Sequence, residues 1–200
     1  MTRKIGLYTK NVNGVWFGVA CDDREVFATT FTQDEKRAIE SLQESIPLGM
    51  ELQVFSKPSA FAERALDSVR SVYAGKGEIG TMPLATELLS PFRKNVLEVT
   101  RLIPVGYVTS YGALSDAAGG SPRAVGGAMA TNPFAPIVPC HRVVSSDFSL
   151  GGYGGGLDLK AEILSREKRG NSQPKDIPIG TKHLQVFPVE FSLDKLKKAP

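Results

Sequence analysis

Residues 110–132 read SYGALSDAAGGSPRAVGGAMATN, and this stretch decides how the second half of the chain is organised. Ser110 caps a short helix, YGALSDAA, which Gly119-Gly120 terminates. Ser121-Pro122 starts another helix, a cap followed by proline at the first helical position. Two short helices across a glycine turn form a helix-turn-helix. The second helix is nearly bald: Ala124, Gly126, Gly127 and Ala128 carry little or no side chain. Glycine inside a helix costs about 1 kcal/mol relative to alanine, so something must approach closely. Either another helix of the core packs there, or the surface presses into a nucleic-acid groove with Arg123 at its leading end. The sequence supports both equally at this point.

Upstream, Ser90-Pro91 repeats the cap-plus-proline device, and Phe92, Val96, Val99 and Ile103 fall on one helical face. Pro104-Val105-Gly106 stops that helix, and 107–109 make a brief strand. The first half reads differently. Residues 4–8, 14–20 and 25–31 are β-branched and aromatic, separated by turn chemistry, and predict a three-stranded antiparallel meander. An amphipathic helix over 33–46, a strand over 51–55 and a helix over 59–73 follow. The glycine-rich stretch 74–84 is read as a linker, with a domain boundary near residue 82.

At 200 residues, with 42% hydrophobic and 22% charged side chains, the chain falls in the globular class and outside the disordered and fibrous ones. No apolar run approaches the ~20 residues of a membrane helix, and the N-terminal stretch lacks a signal-peptide core, so a cytoplasmic protein without membrane partners is expected. Cys21 and Cys140 are the only cysteines and His141 and His183 the only histidines, too few for a disulfide framework or a four-ligand zinc site. Net charge is −2 over residues 1–90 and +5 over 91–200, so a polyanion should meet the second half, although an ordinary solvated surface fits almost as well.

The chemistry concentrates in FAPIVPCHRVV, 134–144. A cysteine in apolar surroundings is commonly an inert thiol. Here Pro139 removes a backbone donor from the run, and His141 and Arg142 bring polar groups where burial penalises them. The loop 145–158 that follows is rich in glycine and carries Tyr153, so its backbone can approach a small planar ligand. A thiol beside an imidazole is the minimal Cys/His nucleophile, and Glu167, at the end of a helix beginning near Leu157, can fix the histidine tautomer.

Ser110-Tyr111, RAVGGAM at 123–129, Asn132-Pro133, PCHRVV at 139–144, GGYGGGL at 151–157 and the helix from Lys160 to Glu167 resemble, in order and spacing, the O6-alkylguanine-DNA alkyltransferases. The resemblance runs from about Thr86 to Gly170. It implies an α/β (α+β) fold. A small ribonuclease-H-like domain would span 1–82. A mainly helical, winged-helix-like helix-turn-helix domain that binds DNA and accepts alkyl groups would span 83–170, with 171–200 as a C-terminal extension. It implies direct-reversal repair: stoichiometric, irreversible transfer of the alkyl group of O6-alkylguanine, and more weakly of O4-alkylthymine, to Cys140 after base flipping. The implied partner is alkylated double-stranded DNA bound through its minor groove by a monomer, with no cofactor and no metal.

By position, Cys140 would be the acceptor, His141 its base through a water, and Glu167 the group holding the imidazole. Asn132 would brace the turn, and Tyr111 would hydrogen-bond the departing guanine. Arg123 would fill the gap in the duplex, with Ser121, Ala124, Gly126, Gly127 and Ala128 against the groove. Tyr153, Gly154, Gly155 and Gly156, with Met129, Val143 and Lys160, would form the alkylguanine pocket. Gly154 stands where some members have serine, so one contact there would come from backbone alone.

Three other functions compete. A non-repairing alkyltransferase-like protein would flip and flag damage, but such relatives lack the cysteine. A methylation-switched regulator would need an additional domain, and a Cys/His hydrolase would need an oxyanion hole. Cys21 is read as an inert thiol and His183 as structural or exposed. The tail, strand-like over 184–191 with a basic end at Lys195–Lys198, could add an edge strand, cover the first domain or stay mobile.

Overall fold

The meander forms as β1 (Lys4–Val12), β2 (Val15–Cys21) and β3 (Val26–Thr32) in a computed structural model that describes residues 4–78 and 80–197. Asn13 and Gly14, with φ of 54° and 82°, make the two-residue turn between β1 and β2, where both central positions need a left-handed backbone. β4 (Glu51–Val54) runs parallel to β1 and completes a sheet of order β3-β2-β1-β4.

The period-two alternation of the strands supplies two apolar faces. Phe17, Val19 and Val26 pack with Phe61, Ala65, Leu66 and Val69 of α2 (Ala60–Tyr73). Ile5, Leu7, Phe27 and Ala28 pack with Leu42 of α1 (Glu35–Glu44). The end of the glycine-rich stretch is not free chain. Val26 donates to Pro83 O at 2.9 Å, Ala85 donates back to Val26 O at 2.8 Å, and Met82 is buried in the α2 core. This sheet and its helices form one of two compact units, which also takes in Gly77–Leu88 and Pro133–Ile137.

The second unit comprises Ala74–Lys76, Leu89–Asn132 and Val138 onward. Its helices are α3 (Pro91–Arg101), α4 (Tyr111–Ala118), α5 (Pro122–Ala130), α6 (Leu157–Arg166) and α7 (Val189–Lys197). Ser90, Ser110 and Ser121 each cap their helix by accepting from the backbone N–H three residues on, at 3.4, 3.0 and 3.2 Å. β5 (Tyr107–Ser110), β6 (Val143–Val144), β7 (Lys175–Ile179) and β8 (Lys182–Pro188) make a sheet of order β6-β5-β8-β7, with β6 parallel to β5 and the other pairs antiparallel.

The tail therefore joins the second unit's own core. Leu184, Val186 and Val189 are fully buried, and the Phe148 ring meets Phe187 and Phe191 edge-on at 5.0 and 5.4 Å. The strand-like stretch of the sequence ends at Pro188, where α7 begins; Lys198 lies outside the described residues. The whole is a mixed α+β chain with two small sheets and seven α-helices among the described residues, and none of those helices is long and apolar enough to cross a membrane.

Candidate active site around Cys140

The run 134–144 contains little strand. Pro139, at φ −81° and ψ 65°, is the centre of an inverse γ-turn closed by Cys140 N–H donating to Val138 O at 2.8 Å. A single 3₁₀ turn, Cys140–Arg142, follows before β6. Asn132, two residues beyond α5, donates its side-chain amide to the same Val138 carbonyl at 2.9 Å and also hydrogen-bonds the cysteine sulfur. The turn is thus tied to the end of the bald helix, and Cys140 is left 7% exposed.

Next to it lies a buried charge cluster. His141 Nε2 is 3.0 Å from Glu167 Oε1, and Arg142 donates to both oxygens of that carboxylate, Nε to Oε2 at 2.9 Å and an Nη to Oε1 at 2.8 Å. The other Nη donates to Ile103 O at 2.6 Å. Burial raises the Glu167 carboxyl, but His141 and Arg142 outweigh it and hold the group down at about 2. A carboxylate can only accept, so Nε2 carries the imidazole proton and Nδ1 is the basic atom. Nδ1 is buried with no hydrogen-bond partner among the described residues. Burial lowers the His141 pKa despite Glu167, and burial raises the Cys140 thiol against the pull of Asn132, Lys160 and two backbone N–H groups. Both shifts favour the uncharged forms, so the resting groups are a neutral imidazole and a neutral thiol.

Lys160, fully buried on α6, holds the glycine-rich loop. Its ammonium donates to Val143 O at 2.6 Å, to Leu150 O, and to Gly152 O at 3.3 Å. Burial nevertheless lowers its pKa to about 8. Tyr111, the first residue of α4, reaches Gly152 O at 3.5 Å. Gly151 allows that approach: its φ is 65°, and a Cβ there would lie 3.1 Å from the Tyr111 ring. Burial raises the phenols of both Tyr111 and Tyr153, and each also feels Cys140. Gly154 and Gly156 border open space. Cys140, His141, Glu167, Asn132, Tyr111, Tyr153 and Lys160 therefore form one electrostatic neighbourhood.

The remaining sequence candidates divide. Ser121, Arg123, Ala124 and Gly127 are exposed, and a Cβ added to Gly126 or Gly127 would meet nothing within 4 Å. Close packing inside the protein does not explain those glycines. Ala128 needs correction: it is 3% exposed, because its spacing from Val125 puts it on the inner face of α5. Met129 is also turned inward, its sulfur 3.9 Å from the Thr100 hydroxyl, and Val143 joins the neighbourhood through its carbonyl rather than an exposed side chain.

Sequence reasoning missed Arg142. The available signal was a single carboxylate, Glu167, set against two basic residues in an apolar run, since a buried charge needs a counter-charge. Cys21 is buried, and burial with Asp22 and Asp23 pushes its thiol up to about 12, which makes it inert. His183 is exposed. Among the described residues no group of three or more His, Cys, Asp or Glu is arranged to hold a metal ion.

Residues 91–169 match the family described as 6-O-methylguanine DNA methyltransferase, DNA binding domain. A methylated-DNA–protein-cysteine methyltransferase of Methanothermobacter thermautotrophicus is 37% identical over 113 residues, which span 56% of this chain and 64% of that protein, less than two thirds of its length. A DNA base-flipping protein of Thermus thermophilus is 42% identical over 109 residues, 54% of this chain and 74% of that protein. The crystal structure of the O6-methylguanine-DNA methyltransferase of the hyperthermophilic archaeon Pyrococcus kodakaraensis matches with a TM-score of 0.62 at 32% identity, over 82% of this chain and 98% of that one.

Proposed function

We infer, from the premise that this chain belongs to the methylated-DNA–protein-cysteine methyltransferase family, that it repairs O6-alkylguanine in duplex DNA by moving the alkyl group to Cys140. The observation that carries this reading is the acceptor turn itself: a nearly buried thiol beside an imidazole whose proton is fixed on Nε2 by Glu167.

The thiol proton passes through a water to His141 Nδ1 as sulfur attacks the alkyl carbon. The S–C bond forms as the C–O6 bond breaks; Tyr111 gives its hydroxyl proton to the departing guanine, which leaves neutral, and the proton held by His141 is returned through solvent to the tyrosine, so that the thiol proton ends on the base. The thioether has no facile hydrolysis route, so each molecule acts once. Asn132 braces the turn, and Arg142 keeps Glu167 ionised. Lys160 sets the loop in which Tyr153 and Gly154–Gly156 wall the base pocket. O4-alkylthymine reacts more weakly.

The target atom is hidden in a duplex, so the nucleotide leaves the stack at a cost of a few kcal/mol, and Arg123 fills the gap. The open face of α5 at Gly126 and Gly127 suits a minor groove only ~6 Å wide. Residues 83–170, which follow a ribonuclease-H-like domain over 1–82 in the chain, act as a helix-turn-helix DNA-binding and acceptor domain whose winged-helix-like sheet is completed by the extension 171–200, in a cytoplasmic monomer.

Mass spectrometry of intact protein before and after exposure to methylated duplex tests the reading: one methyl group is gained, on the peptide containing Cys140. Methylation of a Cys140→Ala protein would refute the assignment. DNA binding without any transfer would instead place the chain with non-repairing base-flipping proteins.

A further inference from the structure

Helix α3, strand β5, helices α4 and α5 and the β7–β8 hairpin follow one another along the chain. β8 pairs antiparallel with β5, Tyr107 opposite Pro188 and Val108 opposite Phe187, and β7 lies outside β8. A helix-turn-helix whose first strand pairs with the far strand of a later hairpin has the connectivity in which that hairpin serves as a wing beside the helix pair. The acceptor turn and α6 are inserted between the second helix and the wing. The hairpin is part of the sequence the family resemblance does not reach.

The tip of the hairpin is the two-residue turn Gly180–Thr181, between Ile179 and Lys182. It is fixed against the helix-turn-helix: Lys182 Nζ donates to the carbonyl of Asp116 at 2.8 Å, two residues before α4 ends at Ala118. That bond ties the end of the hairpin to the last turn of α4, the helix that the Gly119-Gly120 turn joins to Ser121 and Arg123. Gly180, Thr181 and Lys182 are exposed, as are Ser121 and Arg123. The base of the hairpin is anchored by fully buried Leu184 and Val186, and by the Lys175 ammonium 4.5 Å from the Tyr107 ring centre. One N–H of the Lys182 ammonium is used on Asp116, leaving two donors.

We propose that the Gly180–Thr181 tip is a second DNA contact, a wing whose Lys182 ammonium and Thr181 hydroxyl bind backbone phosphates bordering the groove that receives α5. Such contacts position the protein and add affinity without reading bases, which suits a scanner for damage at arbitrary sequence. The proposal rests on the reading that duplex DNA is the partner, but not on alkyl transfer.

The test measures binding of a short unmodified duplex by fluorescence anisotropy over a range of salt, with Lys182→Ala, Lys182→Glu and Thr181→Glu. Thr181→Glu removes no buried contact and guards against misfolding of the lysine variants. Each glutamate variant should bind about fivefold more weakly, whatever the sequence, and Lys182→Ala should flatten the slope of log affinity against log salt by about one. Transfer from free O6-benzylguanine, which has no phosphates, should proceed at the wild-type rate in all three. Unchanged duplex affinity and slope would overturn the wing while leaving alkyl transfer intact. Weakened binding in a protein that gains no methyl group from methylated duplex would uphold the wing and remove the repair reading instead.

Discussion

Replacing Glu167 by glutamine tests the buried cluster directly. Glu167 is 0% exposed and carries His141 on one oxygen and Arg142 on both. A carboxyl held at about 2, against an ordinary 4.5, corresponds to about 3 kcal/mol of folded-state preference for the charged form. Glu167→Gln removes that charge and strands the Arg142 guanidinium in the interior, a change that typically costs about 3–5 kcal/mol. Since the folded pKa is depressed, the wild-type contribution is complete above pH 4.5 and fades as pH falls toward 2. Wild type and variant should therefore differ most at neutral pH and converge in acid. Urea unfolding followed by far-ultraviolet circular dichroism is the suitable assay, because the sole tryptophan, Trp16, sits on β2 and reports the first unit. A variant within about 1 kcal/mol of wild type at neutral pH, or a gap that does not narrow in acid, would refute the electrostatic account. Methyl transfer should also slow by at least about tenfold, since the amide competes less well for Nε2–H.

Gly127→Ala should raise thermal stability by about 0.5–1 kcal/mol, because the added Cβ meets nothing within 4 Å, whereas Gly127→Leu should keep the fold and weaken duplex binding. Calorimetry and anisotropy check the pair, and unimpaired binding by the leucine variant would remove α5 from the groove. Lys160, lowered from 10.5 to about 8, binds its proton less readily folded than unfolded, so its contribution should rise as pH climbs through that interval. Lys160→Met should abolish the rise, strip three carbonyls of their donor at a loss of about 2 kcal/mol or more, and speed amide exchange across the loop. The Cys140 thiol, raised by burial, should react with iodoacetamide at neutral pH more slowly than free cysteine and accelerate above pH 9; rapid neutral labelling would mean a resting thiolate.

The helix-turn-helix was legible because its signals are local. Three serine caps, two followed by proline, announce α3, α4 and α5 within four residues each. The bald helix could be seen but not interpreted, since the choice between core and groove depends on what faces Gly126 and Gly127, and that is a fact of tertiary structure. The resemblance puts Ala128 against the groove, but its place three residues on from buried Val125 turns it inward. His141 and Glu167 can be paired from the chemistry alone, since an imidazole that serves as a base needs its tautomer fixed, whereas the second claim on the same carboxylate, by Arg142, shows only once both side chains are seen to be buried. The tail was the least legible part. Leu184 and Val186 alternate as a strand should, yet nothing local indicates that β5 is the neighbour they pair beside.

The position of β5 in its sheet has a practical consequence for anyone trimming the chain. β5 has β6 on one side and β8 on the other, and Thr109 donates its hydroxyl to Gln185 O at 2.7 Å. Cutting after Gly170 would strip that flank, leave backbone amides and carbonyls of β5 without partners, and expose Val108 and Val144, now buried in the same cluster as Val189. A raw strand border of that kind recruits other chains, so the minimal acceptor domain suggested by the family match would tend to clump in the tube while its reactive cysteine remained chemically sound.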